Sequence, residues 1–285
     1  MVARGHILIE DNPGVGKSTL ALALAQLCGG QFGRVQFTSD LLPADVLGAT
    51  VWRREQEVFE FRPGPIFANV VLADEINRAP PRTQSALLEA MNDGQVTVDG
   101  RSHPLPRPFI VLATQNPHEH YGTYPLPESQ RDRFSVRLHI GYADAAIEAK
   151  LLEHGSSHAS ANRPDLARAV ASGREVDLLG AQAAADEVRV HTDLARYAQS
   201  IVAGTRQAPQ LRLGVSTRGA LAFVAAARAR AYLHGRRFIN IDDLQELAVP
   251  TLAHRVMARE GTHGPTSSLT ADIVREIVAG IPAPL

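Results

Sequence analysis

The sequence predicts an α/β protein: a parallel sheet covered by helices on both faces, followed by a small all-helical domain. Three observations predict it. From Met1 to about Tyr142, short runs rich in Val, Ile and Leu alternate with stretches of helical length. A glycine-containing loop, Asp11-Asn12-Pro13-Gly14-Val15-Gly16-Lys17-Ser18, stands where the first such run meets the first helix. Beyond about residue 187 the strand-like runs give way to amphipathic helical patterns. At roughly 150 residues per domain, a chain of 285 residues has room for two.

The elements follow in order. "HILIE", "RVQF", "NVVLAD" and "FIVLATQ" are bounded by turns and apolar on both faces, as strands of a covered parallel sheet are. Between them, "KSTLALALAQLC" and "RTQSALLEAMNDG" have helical length and composition. Two segments break the alternation. "QVTVDGRSHPLP" has period two around Asp99-Gly100, a dipeptide suited to a type I′ hairpin turn. "VFEFRPGPIF" also alternates and is expected to turn at Pro63-Gly64-Pro65 as a second, looser hairpin. The stretch from Ser156 to Asp186, rich in Ala, Ser, Gly and Asp, suits a connector. After it come three amphipathic helices, "HTDLARYAQSIVAGTRQ", "STRGALAFVAAARARAYLHG" and "NIDDLQELAVPTLAHRVMARE", and a final one through "LTADIVREIVAG". Gly235 ends the second, and Asn240 or Asp242 caps the third. The expected organisation is therefore a core over 1–155 with two hairpin inserts, a connector over 156–186 and a helical domain over 187–285.

Composition sets bounds. An apolar share of 45% is too high for a disordered chain. Basic and acidic residues nearly cancel, 29 against 30, so no overall field recruits nucleic acid or an anionic membrane. No stretch of about 18 apolar residues is uninterrupted, and "MVARGHILIED" turns acidic too soon for a signal peptide. The lone cysteine, Cys28, fits a reducing compartment and is expected to be a packed thiol, so a cytoplasmic location is expected. Only Lys17 and Lys150 among the basic residues are lysine, which makes the position of each informative.

Lys17 stands in the glycine loop. Glycines let backbone amides wrap a phosphate chain, and the following helix N-terminus adds its dipole. In such a loop Lys17 reaches the β and γ phosphates, Ser18 ligates Mg²⁺, and the backbone from Asn12 and Pro13 through Gly14, Val15 and Gly16 to Thr19 cradles the nucleotide. The full GxxxxGK[ST] pattern has glycine where Asp11 stands. A second strand ends in Asp74-Glu75: the aspartate suits Mg²⁺, and the glutamate suits orienting or deprotonating an attacking water. A third ends at Asn116, whose carboxamide suits that water or the γ phosphate. Three strand ends delivering phosphate chemistry point to a P-loop nucleotide hydrolase. His6, His118 and His120 lack zinc-ligand spacing and are expected to be exposed loop histidines. Trp52 is expected to pack beside the first hairpin.

Longer runs carry a family resemblance. "FTSDLLPADVLG", "LADEINRA", "TQSALLEAM", "QVTVDG", "ATQNP" and "GTYPLPESQRDRF" closely resemble the MoxR family of AAA+ ATPases, from Gly5 to about Arg259. That resemblance implies ATP and Mg²⁺ as ligands and a homo-oligomeric ring, a hexamer in related proteins, with ATP between neighbours. It implies that Arg133 in "RDRF" is an arginine finger acting in trans, with Arg131 a lesser candidate. It implies that Arg218 in "GVSTRGA" reaches the phosphates in cis, although Thr217 stands where the family has proline. It places both hairpins toward the ring pore. Family members carry a few tens of residues before "GHILIED" that enclose the base, so either the natural start lies further upstream or phosphate-dominated binding with a loosely held adenine is expected. Chaperone-like remodelling of protein clients is implied, with partners carrying a von Willebrand factor A domain. The alternatives are a nucleotide-gated binding module with little turnover and a DNA-acting AAA+ motor. Near-neutral charge and hairpins with few basic residues (Arg62, Arg101) argue against the last, so nucleic acid is not an expected partner.

Overall fold

The computed structural model describes residues 1–12, 14–116, 122–154, 176–259 and 266–284. Pro13, His118, Glu119 and His120 lie outside these, as does most of the expected connector. Five strands form one sheet in the order β2-β5-β8-β1-β9: β1 (His6–Glu10), β2 (Phe32–Gln36), β5 (Val70–Asp74), β8 (Ile110–Gln115) and β9 (Phe134–Leu138). β5 runs parallel to both β2 and β8, with Gln36 level with Asp74 and Ala73 level with Ala113. Val71, Leu72, Ala73, Val111, Leu112 and Ala113 are wholly buried, which is why these strands are apolar on both faces.

The chain divides into two compact units. The first comprises Ile9–Pro125 and His139–Asp177. Helices α1 (Lys17–Leu27), α2 (Pro43–Leu47), α3 (Pro81–Asp93) and α5 (Ala145–His154) belong to it. α3 turns Leu87, Leu88, Ala90 and Met91 inward, the 3.6-residue spacing of a half-buried helix. Two hairpins leave this core. In β6 (Gln95–Val98) and β7 (Arg101–Pro104), Asp99 and Gly100 both have positive φ, 50° and 76°, as a type I′ turn requires. The other hairpin corrects the expected one. "VFEFRP" is its second strand, β4 (Val58–Pro63), paired with β3 (Gly48–Arg53). The chain reverses between Arg53 and Val58, where Glu57 has φ 52°, rather than at Pro63-Gly64-Pro65. β3 was obscured because its residues alternate too weakly to read as a strand without their partner. Trp52 lies opposite Phe59 near the tip, ring centroids 4.8 Å apart and both exposed.

The second unit comprises Met1–Leu8, Leu126–Leu138 and Leu178–Leu285. It holds α4 (Glu128–Arg131), α6 (Leu178–Asp186), α7 (Thr192–Gln207), α8 (Thr217–Leu233), α9 (Ile241–Leu252) and α10 (Thr266–Gly280). A short ribbon, β10 (Leu211–Leu213) with β11 (Met257–Ala258), joins them. The last nine residues of the expected connector form α6, because Leu178, Ala181, Gln182 and Ala185 recur on one buried face. Tyr197, Ile201, Phe223, Ala227, Leu244, Leu252 and Val274 form the shared core. Asn240 caps α9 in a reciprocal box with Asp243, and Gly235 follows α8 with φ 71°. Burial alone would raise the Asp243 carboxyl. Two 2.6 Å bonds from Arg236 and the Asn240 N–H instead hold it below the usual carboxylate range.

Two expectations about single side chains change. His6 is buried within β1 rather than on an exposed loop. Cys28 is half-buried, because it caps the C-terminus of α1 instead of lying inside the helix, and burial raises its thiol. Among the described residues, no helix is long and apolar enough to cross a membrane.

His254 gives this unit a pH dependence. Its Nε2 donates to the Phe134 carbonyl at 2.8 Å, while Nδ1 is buried without a partner among the described residues. Burial, and the positive charges of Arg255, Arg137 and Arg131, push its pKa down to about 3, against the pull of the Phe134 bond. The unfolded chain protonates His254 below about pH 6.5 and the folded chain refuses the proton until about pH 3. Stability is therefore full above 6.5 and declines as pH falls toward 3, by about 1.4 kcal/mol per unit. Between pH 6.5 and 5 the loss is expected to be on the order of 2 kcal/mol. Denaturant unfolding at several pH values checks this. The slope should flatten in His254→Gln, and an identical slope in wild type and variant would refute it.

Candidate nucleotide site

The loop between β1 and α1 follows from its glycines. Gly14 and Gly16 both have φ +87°, and a Cβ on either would meet nothing within 4 Å. Conformation rather than crowding requires glycine there. Gly16 caps α1, whose first residues are Lys17 and Ser18. Lys17 Nζ donates to the carbonyls of Asp11 (3.0 Å) and Asn12 (2.8 Å), which folds the ammonium back over its own loop. Lys150, the other lysine, is exposed on α5.

Asp11, the departure from the glycine pattern, has a structural task. Its buried carboxylate accepts from the backbone N–H groups of Asn12 (3.0 Å), Gly141 (2.7 Å) and Ile140. Burial acts to raise this carboxyl. The Gly141, Ile140 and Asn12 bonds and the Lys17 charge overcome that and hold it low. Glycine would leave those amides without this acceptor. Beside it, Asn12 Nδ2 donates to the Tyr142 hydroxyl at 3.2 Å.

A cavity of about 420 Å³ is lined by Asp11, Gly14, Gly16, Lys17, Ser18, Arg34, Gln36, Asp74, Glu75, Thr114, Gln115 and Asn116. The C-terminal ends of β1, β2, β5 and β8 thus deliver their polar residues to one place, as expected at the carboxyl edge of an open α/β sheet. Both Asp74 oxygens are hydrogen-bonded: Oδ1 accepts from Thr114 Oγ1 at 2.6 Å and Oδ2 from Arg34 Nη2 at 2.8 Å. Thr114 Oγ1 also accepts the Glu75 N–H at 2.8 Å. That bond helps hold Glu75 in the left-handed region, φ 56° and ψ 49°, where a non-glycine residue is strained. The Glu75 carboxylate accepts from Gln36 Nε2 at 2.8 Å and lies 3.2 Å from Arg78 Nε. Ser18 and Asp74, a hydroxyl and a carboxylate, are hard oxygen donors lining the same cavity as Lys17. Such a donor set fits Mg²⁺, which takes few protein oxygens beside water and phosphate. Among the described residues no cluster of three or more His, Cys, Asp or Glu side chains is placed to hold a metal by itself.

The structure thus brings Gly14, Gly16, Lys17, Ser18, Asp74, Glu75 and Asn116 together. Thr19 is exposed on α1, and Asn12 and Val15 are half-buried in the loop. Arg34 and Gln36 were missed by sequence reasoning. Their signal is the polar alternation of "RVQ" at the end of a strand otherwise read as apolar. Because Gln36 restrains Glu75, Gln36→Ala is expected to raise basal ATP turnover by up to about fivefold, a hydrogen bond to an exposed charge. A steady-state phosphate-release assay reads this, and a lower rate would make Gln36 a positioning residue instead.

Arg133 and Arg218 belong to the second unit. Arg133 follows α4, between Asp132 and the wholly buried Phe134. Arg255 Nη1 bonds both the Asp132 carboxylate (2.6 Å) and its carbonyl (2.9 Å), and Nη2 bonds the Phe134 carbonyl (2.6 Å). Ser216, whose Oγ caps α8 through the Gly219 N–H, donates to the other Asp132 oxygen at 2.9 Å. Arg218 stands in the first turn of that helix, so Asp132 is bonded to the cap of the helix bearing Arg218.

Fold and cavity together define an ATP-hydrolysing P-loop enzyme of the AAA+ class. Residues 6–136 match the family model described as the ATPase family associated with various cellular activities (AAA), and residues 203–277 match the AAA lid domain. The chain belongs to the MoxR family of AAA+ ATPases. It is 40% identical to chaperone MoxR1 of Mycobacterium tuberculosis over 90% of this chain and 69% of that one. It is 45% identical to YeaC of Bacillus subtilis over 100% of this chain and 87% of that one. The crystal structure of a Cytophaga hutchinsonii protein assigned as an ATPase superposes with a TM-score of 0.83 at 33% identity, covering 99% of this chain and 86% of that one.

Proposed function

We propose that the chain is a Mg²⁺-dependent ATPase that works as a ring and uses hydrolysis to remodel a protein partner. One observation carries the chemistry: Lys17, Ser18, Asp74, Glu75 and Asn116 line a single cavity. Lys17 would leave its loop carbonyls for the β and γ phosphates, Ser18 and Asp74 would hold Mg²⁺, and Glu75 would accept a proton from the attacking water. Asn116 would orient that water or the γ phosphate. Mg²⁺ in such a site neutralises charge on the transferred phosphoryl group. Arg133 is the proposed finger toward a neighbouring subunit and Arg218 the proposed phosphate contact in cis, both by family resemblance. The remodelling role is supported by the name of the Mycobacterium tuberculosis relative, a chaperone. A hexamer and a von Willebrand factor A domain partner belong to the same reading.

One observation favours a second reading, a nucleotide-gated binding module with little turnover. Both acidic side chains at the end of β5 are already bonded, Asp74 to Arg34 and Glu75 to Gln36. ATP hydrolysis measured against protein concentration, with and without Mg²⁺ and DNA, separates the readings. Specific activity that needs Mg²⁺ and rises with concentration supports the ring ATPase. Tight ATP binding with negligible turnover at every concentration supports the module, and stimulation by DNA would argue for a motor on nucleic acid.

A further inference from the structure

We propose that Arg34 is a resident cation of the nucleotide cavity, one that occupies the Asp74 carboxylate before metal arrives and must let go of it for Mg²⁺ to bind. The inference rests on the reading of Asp74 as the metal-facing carboxylate. Both Asp74 oxygens already have a partner: Thr114 Oγ1 donates to Oδ1 and Arg34 Nη2 donates to Oδ2. The oxygen held by Arg34 is the one bonded to a charged partner. Asp74 is largely shielded, its side chain 14% exposed, whereas Arg34 is 51% exposed, so the guanidinium reaches in from the solvent side.

The register explains the reach. Arg34 pairs with Leu72 and Gln36 with Asp74 along parallel β2 and β5, so Arg34 meets Asp74 diagonally, two residues on. On an ordinary sheet surface this would be one more cross-strand ion pair. Here both partners line the cavity that also holds Lys17 and Ser18. Two carboxylates, Asp74 and Glu75, stand side by side in that cavity, and Arg34 and Arg78 each compensate one. A guanidinium cannot shed its charge near neutrality. Metal and Arg34 therefore compete for Asp74 by displacement, and Arg34, half-exposed on its long stem, has room to withdraw.

The test is fluorescent ATP-analogue binding to the full chain, titrated with free Mg²⁺, for wild type, Arg34→Gln, Arg34→Lys and Asp74→Asn. With no cation to displace, Arg34→Gln is expected to lower the half-saturating Mg²⁺ concentration about fivefold, the upper range for a half-exposed ion pair. Arg34→Lys should stay near wild type, because it keeps the competing charge. An Mg²⁺ dependence in Arg34→Gln within twofold of wild type, or shifted upward, overturns the proposal. Asp74→Asn separates the two levels. If it shifts the Mg²⁺ dependence while Arg34→Gln does not, only the competition fails. If it shifts nothing, the metal-facing role of Asp74 fails with it.

Discussion

Glu75→Gln is expected to cut ATP turnover by about 10²- to 10⁴-fold while leaving ATP binding intact, the range for losing a general base. The substitution isolates proton transfer. A carboxamide has nearly the shape of the carboxylate and its oxygen can still accept from Gln36 Nε2, but it cannot take a proton from water. The fold has no reason to move. The strained backbone at Glu75, φ 56°, is held through its N–H by Thr114 Oγ1 and not through the side chain. None of the bonds of Lys17 or Asp74 uses the Glu75 side chain, so the proposed phosphate and Mg²⁺ contacts should be kept. Single-turnover hydrolysis alongside nucleotide titration reads both halves. Turnover within tenfold of wild type would remove Glu75 from the role of base, and lost binding would show that its charge serves the ground state.

Arg133→Ala is expected to lower turnover by about 10³-fold or more in assembled protein, the scale of an arginine finger in phosphoryl transfer. The turn that carries Arg133 should survive. Its neighbours Asp132 and Phe134 are fastened by Arg255 and Ser216, and none of those bonds uses the Arg133 side chain. Mixing supplies the decisive measurement. Arg133→Ala and Glu75→Gln subunits should each be inert alone. In mixed rings, an Arg133→Ala subunit beside a Glu75→Gln neighbour has its own base and a borrowed finger, so activity should return. Two inert proteins that stay inert when mixed, under conditions where mixed rings form, would place Arg133 in cis or outside the chemistry.

The core of the site was legible because its chemistry is written in contiguous residues. A phosphate loop needs glycines at fixed offsets and a lysine at the helix start, and Gly14, Gly16 and Lys17 supply them within four positions. Asp74, Glu75 and Asn116 were legible for a related reason: each follows an apolar run at the end of a parallel strand. The type I′ hairpin at Asp99-Gly100 was legible because both turn residues tolerate positive φ. The first hairpin differs because a strand such as β3 has little signal apart from its partner, and the conspicuous Pro63-Gly64-Pro65 lies beyond the actual reversal between Arg53 and Val58.

By itself the sequence carried the fold class, through apolar periodicity and local backbone rules, the family, through the resemblance of its longer motifs, and the candidate residues of the phosphate loop and strand ends. Only the tertiary structure decided what restrains them. Asp11 anchors the phosphate loop through amides 129 and 130 residues away. Arg34 and Gln36 reach Asp74 and Glu75 across 40 and 39 residues because β2 pairs with β5. Asp132, beside the proposed finger, is held by Arg255 from 123 residues on. Charge and hydrogen bonding act over a few ångströms of space, and only strand pairing and helix packing bring such distant residues that close.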